Sequence, residues 1–589
     1  MLDRSCTLQI KVRITELRFE TGEKEKGMYD LLLKGGRVYD GSGLPSYNAD
    51  VGVVNGKIAG IGRLDGDAKR TLDVDGLAVA PGFIDPHTHL DAQLLWDPLG
   101  TSSCYHGVTS VVVGNCGLSL APAKVEDREA VIKSFVRVEA ISRRVLEEGV
   151  QWRWTSTGEY LDTLGAKLAI NAAALVGHIA VRHYVMGEDA VERGATPDEI
   201  EKMRALVRQG MEAGAVGFST NQNPRHIRED KKPVASRLAS DEELGALLDV
   251  LGEMNAGVVQ LSGGGADARG RIAYAAGMAR RTGRPVLWQS ISHSWSRPDH
   301  WKSMLDQTAK VFREEGLPIY AMTQAKPFEM RYTLNDAQCF DEFPTWKAAM
   351  FSPVEARKQM FSDADCRRKL RAEAIEDQSP SVFPRRWDVI YVDRVKLAKN
   401  KKLERKTVAD IARAEGKEGL DVFLDLALEE DLETRFVHIT TQGDPNAVCE
   451  ILKHPAIMIG QSDAGAHMGY DARFGYCTAF LGRWVRDHGI MPLEEAVSKL
   501  TFRVASVFGL SDRGLVRPGM AADLVIFDPA TVNTLEPEYV QDLPGNETRM
   551  IQRAAGVHHT VVNGEVVIEN GAATGACPGR ILRSRAWRN

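Results

Sequence analysis

The sequence contains no run of about 18 apolar residues, so it offers no membrane-spanning helix. It has no C-x-x-C pair either. The eight cysteines (6, 104, 116, 339, 366, 449, 477 and 577) are scattered, which argues against a disulfide framework and for reduced thiols. No long basic run interrupts a chain of net charge −6, so neither nucleic acid nor an anionic membrane is expected as a partner. No Gly-x-Gly-x-x-Gly follows an early strand, which counts against a dinucleotide-binding open sheet. Low-complexity tracts and internal repeats are absent. Residues 1–27 are charge-rich and hold no apolar core of signal-peptide length. They read as an N-terminal extension ahead of Met28, with the cytoplasm as the expected compartment.

What is present is a long globular chain: 589 residues, 43% hydrophobic and 26% charged, enough for one large domain plus a smaller one. Short strand-like runs open the chain at Asp30–Leu33, Arg37–Tyr39, Asp50–Val54, Lys57–Ile61 and Leu72–Val79, and Asn55-Gly56 between two of them signals a hairpin. The same texture returns at Ala522–Phe527 and at Val557–Val562 and Glu565–Glu569 around Asn563-Gly564. Residues 28–82 and 511–589 are therefore read as the two parts of one small β-sandwich, with two independent β flaps as the alternative.

Between them, over 83–510, apolar runs alternate with helical stretches. The runs after the first are Ser110–Val113, Leu168–Val176, Val216–Ser219, Val258–Leu261, Val286–Trp288, Pro318–Met322, Thr434–Ile439 and Ile457–Ile459. The helices include Glu126–Glu148, Thr196–Ala213, Asp241–Asn255 and Gly270–Thr282. This α/β alternation predicts a (β/α)₈ TIM-like barrel, with a doubly wound sheet as the alternative. Residues 326–415, charged and largely helical, read as an inserted helical lid.

Barrel enzymes build their sites at strand C-terminal ends, so the polar residues there are the candidates. Pro81-Gly82-Phe83-Ile84-Asp85-Pro86-His87-Thr88-His89 places two imidazoles on one face of a strand end, a pair suited to Zn²⁺ or another divalent metal. Two unrelated loop residues are the alternative reading. Later strand ends offer Cys116, His178, Gln260, then Gln289, Ser290 and His293, and finally Asp463. Cys116 could bind as thiolate, and Asp463 could ligate and accept a proton from the attacking water; a buried thiol and a turn-capping Asp are the plain alternatives. His178 begins a Gly-His-x-x-x-Arg pattern with Arg182, which suits a barrel-lining hydrogen bond as well as metal contact. His467 is either a residue that steers substrate or a loop histidine. Arg473 and Lys326 are candidate carboxylate clamps, and Trp288, Trp295 and Trp301 either line a pocket or fill the core.

The first-strand stretch resembles the signature of the amidohydrolase superfamily. Gly107-Val108-Thr109 through Gly114-Asn115-Cys116-Gly117, Val176-Gly177-His178 with Val185-Met186-Gly187, Gly214–Thr220, Ser462-Asp463, Leu493–Val497 and Gly514–Val525 resemble the N-acyl-D-amino-acid deacylase (D-aminoacylase) branch. The resemblance spans about residue 29 to the late 560s. It implies metal-assisted hydrolysis of a small-molecule amide by a barrel enzyme, with His87, His89, Cys116 and Asp463 as metal ligands, Asp463 also as proton acceptor, and one or two Zn²⁺ as cofactor. A homo-oligomer is compatible with it.

Two departures stand out. The family's Ser/Thr-His-x-Arg motif is replaced by Gln260-Leu261-Ser262-Gly263, without His. Where the family has a further strand-end His, strict spacing places Ser290, while His293 in Ile291-Ser292-His293 lies three residues beyond. His293 is a ligand if the strand bulges or extends, and a loop residue if not. Either a mononuclear centre on His87, His89 and Asp463, with or without Cys116, or recruitment of His293 or His178 to a second metal follows. Hydrolysis of a cyclic amide, carbamate or ester, and a non-catalytic binding protein on a decayed barrel, are the rival functions.

Overall fold

The computed structural model describes residues 28–264, 268–335, 337–377, 381 and 383–584; the extension expected at 1–27 lies outside them. Its centre is an eight-stranded parallel sheet whose strands lie side by side in chain order. These are β1 (Phe83–Asp85), β2 (Val108–Val113), β3 (Asn171–Gly177), β4 (Gly217–Gln222), β5 (Val258–Gly263), β6 (Val286–Trp288), β7 (Ile319–Thr323) and β8 (Ile457–Ile459). The strands are buried on both faces, so they read as continuous apolar runs and not as alternating ones. Just beyond the last strand the sheet meets its first. The His89 N–H donates to the Ala464 carbonyl at 2.7 Å and the Asp463 N–H to that of His87 at 3.3 Å. One hydrophobic cluster collects Ile84, Val112, Leu175, Val258, Leu287, Met322 and Met458 around the helix Phe502–Phe508. Sequential parallel strands around a filled interior make a TIM-like barrel.

Helices cross between the strands where the periodicity predicts them. Pro197–Glu212 is capped by Thr196, whose hydroxyl accepts the Glu199 N–H while the Glu199 carboxylate accepts the Thr196 N–H. The stretch predicted as one helix over 126–148 is two, Arg128–Val138 and Arg143–Gly149, broken where Ala140 takes φ +52°. Helical periodicity continues through that break, which is why the sequence conceals it.

Thr434–Ile439 does not join the barrel. Arg435–Thr441 lies between Phe328–Tyr332 and Ile390–Arg394 in an antiparallel sheet inserted after β7. Its residues alternate in burial, unlike the barrel strands, because only one face is covered. This insertion has a core of its own, in which the Trp346 indole stacks on Phe340 with centroids 4.0 Å apart, against Phe361, Phe383 and Phe423.

The chain ends meet in one seven-stranded sheet, where Ala78–Pro81 pairs with Leu524–Phe527. Leu31, Val51 and Ile58 of a four-stranded sheet share a hydrophobic cluster with Val79, Leu524 and Val561 of the seven-stranded one. The two Asn-Gly turns touch: Gly56 has φ +74°, and a Cβ there would lie 2.7 Å from the Asn563 carbonyl oxygen. Gly56→Ala is therefore expected to cost at least about 1 kcal/mol from the left-handed backbone alone, read as a lowered denaturant midpoint. Among the described residues no helix is long and apolar enough to cross a membrane, and the described cysteines are free.

Candidate metal centre

The two ends of the barrel sheet bring together side chains far apart in sequence. His87 and His89, separated by Thr88 beyond β1, are buried with ring centroids 5.3 Å apart. The loop after β2 turns Cys116 inward at φ +55°. Its thiol sulfur lies 3.5 Å from His87 Nε2, and the donor atoms of His87, His89 and Cys116 all fall within 4.8 Å of one another. From beyond β8, Asp463 Oδ1 comes to 3.3 Å from His87 Nε2, while its Oδ2 forms an ion pair with Arg473 Nη2 at 2.9 Å.

The Cys116 loop is held from several sides. Asn115 Nδ2 donates to the Val112 and Thr88 carbonyls, the Cys116 N–H donates to Gln260 Oε1 at 2.7 Å, and Asn221 Nδ2 donates to the Cys116 carbonyl at 3.0 Å. Ser219 Oγ accepts the Gly117 N–H and donates to the Gly114 carbonyl. Cys116, Gln461, Asp463 and His467 all adopt positive φ. Non-glycine residues rarely do so, and such strained conformations gather at functional sites.

The electrostatics suit a cation. Burial, with Arg473 nearby, lowers the pKa of His87 to about 3, and burial, with His87 nearby, brings that of His89 to about 3. Both rings are then neutral at pH 7, the ligating form. Burial, helped by Glu139 and Asp463, pushes the Cys116 thiol well up, so only a bound metal would make it a thiolate. Asp463 Oδ1 and His89 Nδ1 are buried without a hydrogen-bond partner. Two neutral imidazoles, a thiol and a carboxylate with a free oxygen form a donor set that fits Zn²⁺.

The remaining candidates fall elsewhere or in supporting positions. His178 and Arg182 both bind Glu243, His178 Nε2 at 2.9 Å, while His178 Nδ1 meets the Thr220 hydroxyl. That is a buried network away from the metal donors. His293 is not in the donor group. Its backbone N–H donates to Gln442 Oε1, its carbonyl accepts the Gln442 N–H, and its ring packs on Trp295. The chain leaves the barrel after Trp288, and pairing with the residues that follow Arg435–Thr441 draws His293 toward the insertion. At the end of β6 it is Gln289 that reaches in, with Nε2 2.9 Å from His87 Nε2, and the half-buried Ser290 follows it. Arg473 serves the protein's own Asp463 and Asp471 and lies over the Phe328 ring. Lys326 donates to Gln552 Oε1 and the Ala472 carbonyl. Trp288 and Trp301 belong to the main core.

Residues without a sequence signal also belong here. Glu139, at the helix break, is buried with Oε2 3.5 Å from His89 Nε2 and 3.9 Å from His467 Nε2. The Tyr470 hydroxyl meets His467 Nδ1 at 2.7 Å. Tyr470 also lines a cleft of about 410 Å³ between Val136, Arg137 and Ala140 on the barrel side and Met330, Tyr332 and Phe351 of the insertion.

Known proteins resemble the chain over most of its length. The chain is 32% identical to a D-aminoacylase of Alcaligenes xylosoxydans xylosoxydans, over 95% of this chain and 98% of that one. A solved D-aminoacylase structure with a binuclear metal centre superposes at a TM-score of 0.64 and 29% identity, covering 94% of this chain and all of that one. An N-acyl-D-glutamate deacylase from Bordetella bronchiseptica, solved with zinc and a phosphonate inhibitor, gives 0.63 at 27% identity, covering 95% and 100%. Residues 70–568 match the profile of the Amidohydrolase family, and the chain belongs to that family.

Proposed function

We propose that this protein is a metal-dependent hydrolase that cleaves a linear amide bond of an N-acyl-D-amino acid. The observation that carries the proposal is the convergence of His87, His89, Cys116 and Asp463 at the joined C-terminal ends of β1, β2 and β8. One or two divalent ions, zinc first among them, are held by these four residues. A bound metal of this kind polarises a carbonyl and acidifies water.

The chain's own groups supply the rest. Arg473 fixes Asp463 through Oδ2, leaving Oδ1 turned to the His87 side. From there the carboxylate takes the proton of the attacking water and delivers it to the leaving amine nitrogen. The cleft between barrel and insertion, lined in part by Tyr470, is the route by which a small amide enters. In this reading the insertion is the lid, and the two terminal sheets form one β-sandwich that braces the barrel.

The test is an amine-release assay on zinc-loaded protein with paired N-acyl-D- and N-acyl-L-amino acids, set against lactams and esters. Turnover of the D-series that stops with a chelator and returns with zinc is the expected result. Turnover of lactams or esters alone, or none at all, would overturn the proposal.

A further inference from the structure

The separations of the imidazoles from the carboxylates and the thiol at the centre are those of metal ligands. Donor atoms about 2.0–2.3 Å from a tetrahedral zinc lie about 3.3–3.8 Å from each other. His87 Nε2 is 3.3 Å from Asp463 Oδ1 and 3.5 Å from Cys116 Sγ. His89 Nε2 stands at the same kind of distance, 3.5 Å, from Glu139 Oε2. A charge-assisted hydrogen bond between an imidazolium and a carboxylate would be about 2.7–2.9 Å.

Glu139 is also placed for that role by the backbone. The helix stops at Val138, Ala140 reverses the chain, and the Glu139 carbonyl accepts the His467 N–H at 2.7 Å. Its side chain is only 3% exposed. The strand ends of β5 and β6 meanwhile offer the amides of Gln260 and Gln289, which are weak zinc donors beside imidazole, thiolate or carboxylate.

We infer that Glu139, entering from the helix break outside the barrel strands, is a direct ligand of the metal on the His89 side of the centre. The inference rests on the metal-hydrolase reading above. Glu139 thus makes up in part for the neutral strand ends of β5 and β6.

The experiment measures zinc stoichiometry and chelator-competition affinity for the full chain, Glu139→Gln and His87→Ala, together with diffraction at the zinc edge from the zinc-loaded parent protein. The expected result is zinc bound by the parent, lost or weakened in H87A, weakened at least about tenfold in E139Q, and an anomalous peak about 2.0–2.2 Å from a Glu139 oxygen. An ion at the His87–His89 pair but beyond bonding distance of Glu139 overturns the inference, even if E139Q binds zinc more weakly. Unchanged affinity in E139Q does the same and leaves the metal centre intact. A parent protein that binds no zinc, or an H87A that binds it fully, overturns the metal reading together with the inference. Should E139Q fail to fold, the diffraction result decides alone.

Discussion

Asp463→Asn is expected to lower kcat for amide hydrolysis by about a thousandfold, inside the 10²–10⁴ that a positioned acid–base group supplies. Asparagine keeps the shape and the Arg473 contact through its side-chain oxygen, but it cannot accept the proton. Arg473 retains Asp471, so its buried charge stays compensated. The fold should therefore persist, and far-UV circular dichroism checks that. Because Asp463 also stands at a ligand distance from His87, zinc content must be measured on the same samples. A rate that stays low when zinc is saturating assigns the loss to proton transfer; a rate restored by zinc assigns it to ligation. Activity within tenfold of the parent at ordinary zinc would remove Asp463 from the mechanism.

The pair His87 and His89 was readable because a strand end alternates and an apolar run announces where it stops. Asp463 was readable for the same reason, since Ile457–Ile459 is a short buried run ending in Gln461-Ser462-Asp463. That rule failed where the chain did not remain a strand. At β6 the regular backbone ends at Trp288, so Gln289, not His293, faces the centre. At Thr434–Ile439 an apolar run of the right length pairs in the insertion, because partner choice is a tertiary property that local hydrophobicity does not encode. Glu139 had no signal at all. It lies in a charged helical stretch, and only the reversal at Ala140 carries it inward. The eightfold rhythm was legible and the side chains delivered from outside it were not.

The positive φ angles give that division a physical content. Cys116, Asp463 and His467 each occupy a left-handed backbone that costs about 1–3 kcal/mol. Aspartate and histidine are enriched in that backbone, but cysteine is not. The conformations persist because neighbouring groups overdetermine them: Gln260, Asn221 and Ser219 around the cysteine loop, and the carbonyl of Glu139 beneath His467. The Cys116 loop and His467 are thus held by β4, β5 and the helix break.

That support has its own foundation, and Glu243→Ala is expected to show it by destabilising the protein by about 3–5 kcal/mol. Glu243, Arg182 and His178 are all fully buried. One carboxylate oxygen accepts from His178 Nε2 at 2.9 Å and the other from Arg182 Nη1. Burial raises the Glu243 carboxyl, but the hydrogen bond from His178 and the Arg182 charge outweigh it and hold it below the usual range. Removing the carboxylate leaves the Arg182 guanidinium with the Ala190 and Arg193 carbonyls but without a counter-charge. Glu243→Gln keeps an acceptor for one of the two donors and should cost less than alanine, which separates the charge from the lost volume. Urea midpoints for the two variants measure the difference, and a loss below about 1 kcal/mol in the alanine variant would contradict the account. The His178 ring, tied through its other nitrogen to the Thr220 hydroxyl, links the end of β3 to β4, whose Ser219 holds the Cys116 loop. His178 thus stands one step behind the metal centre as part of its scaffold, and the zinc affinity of folded E243Q should change far less than that of His87→Ala.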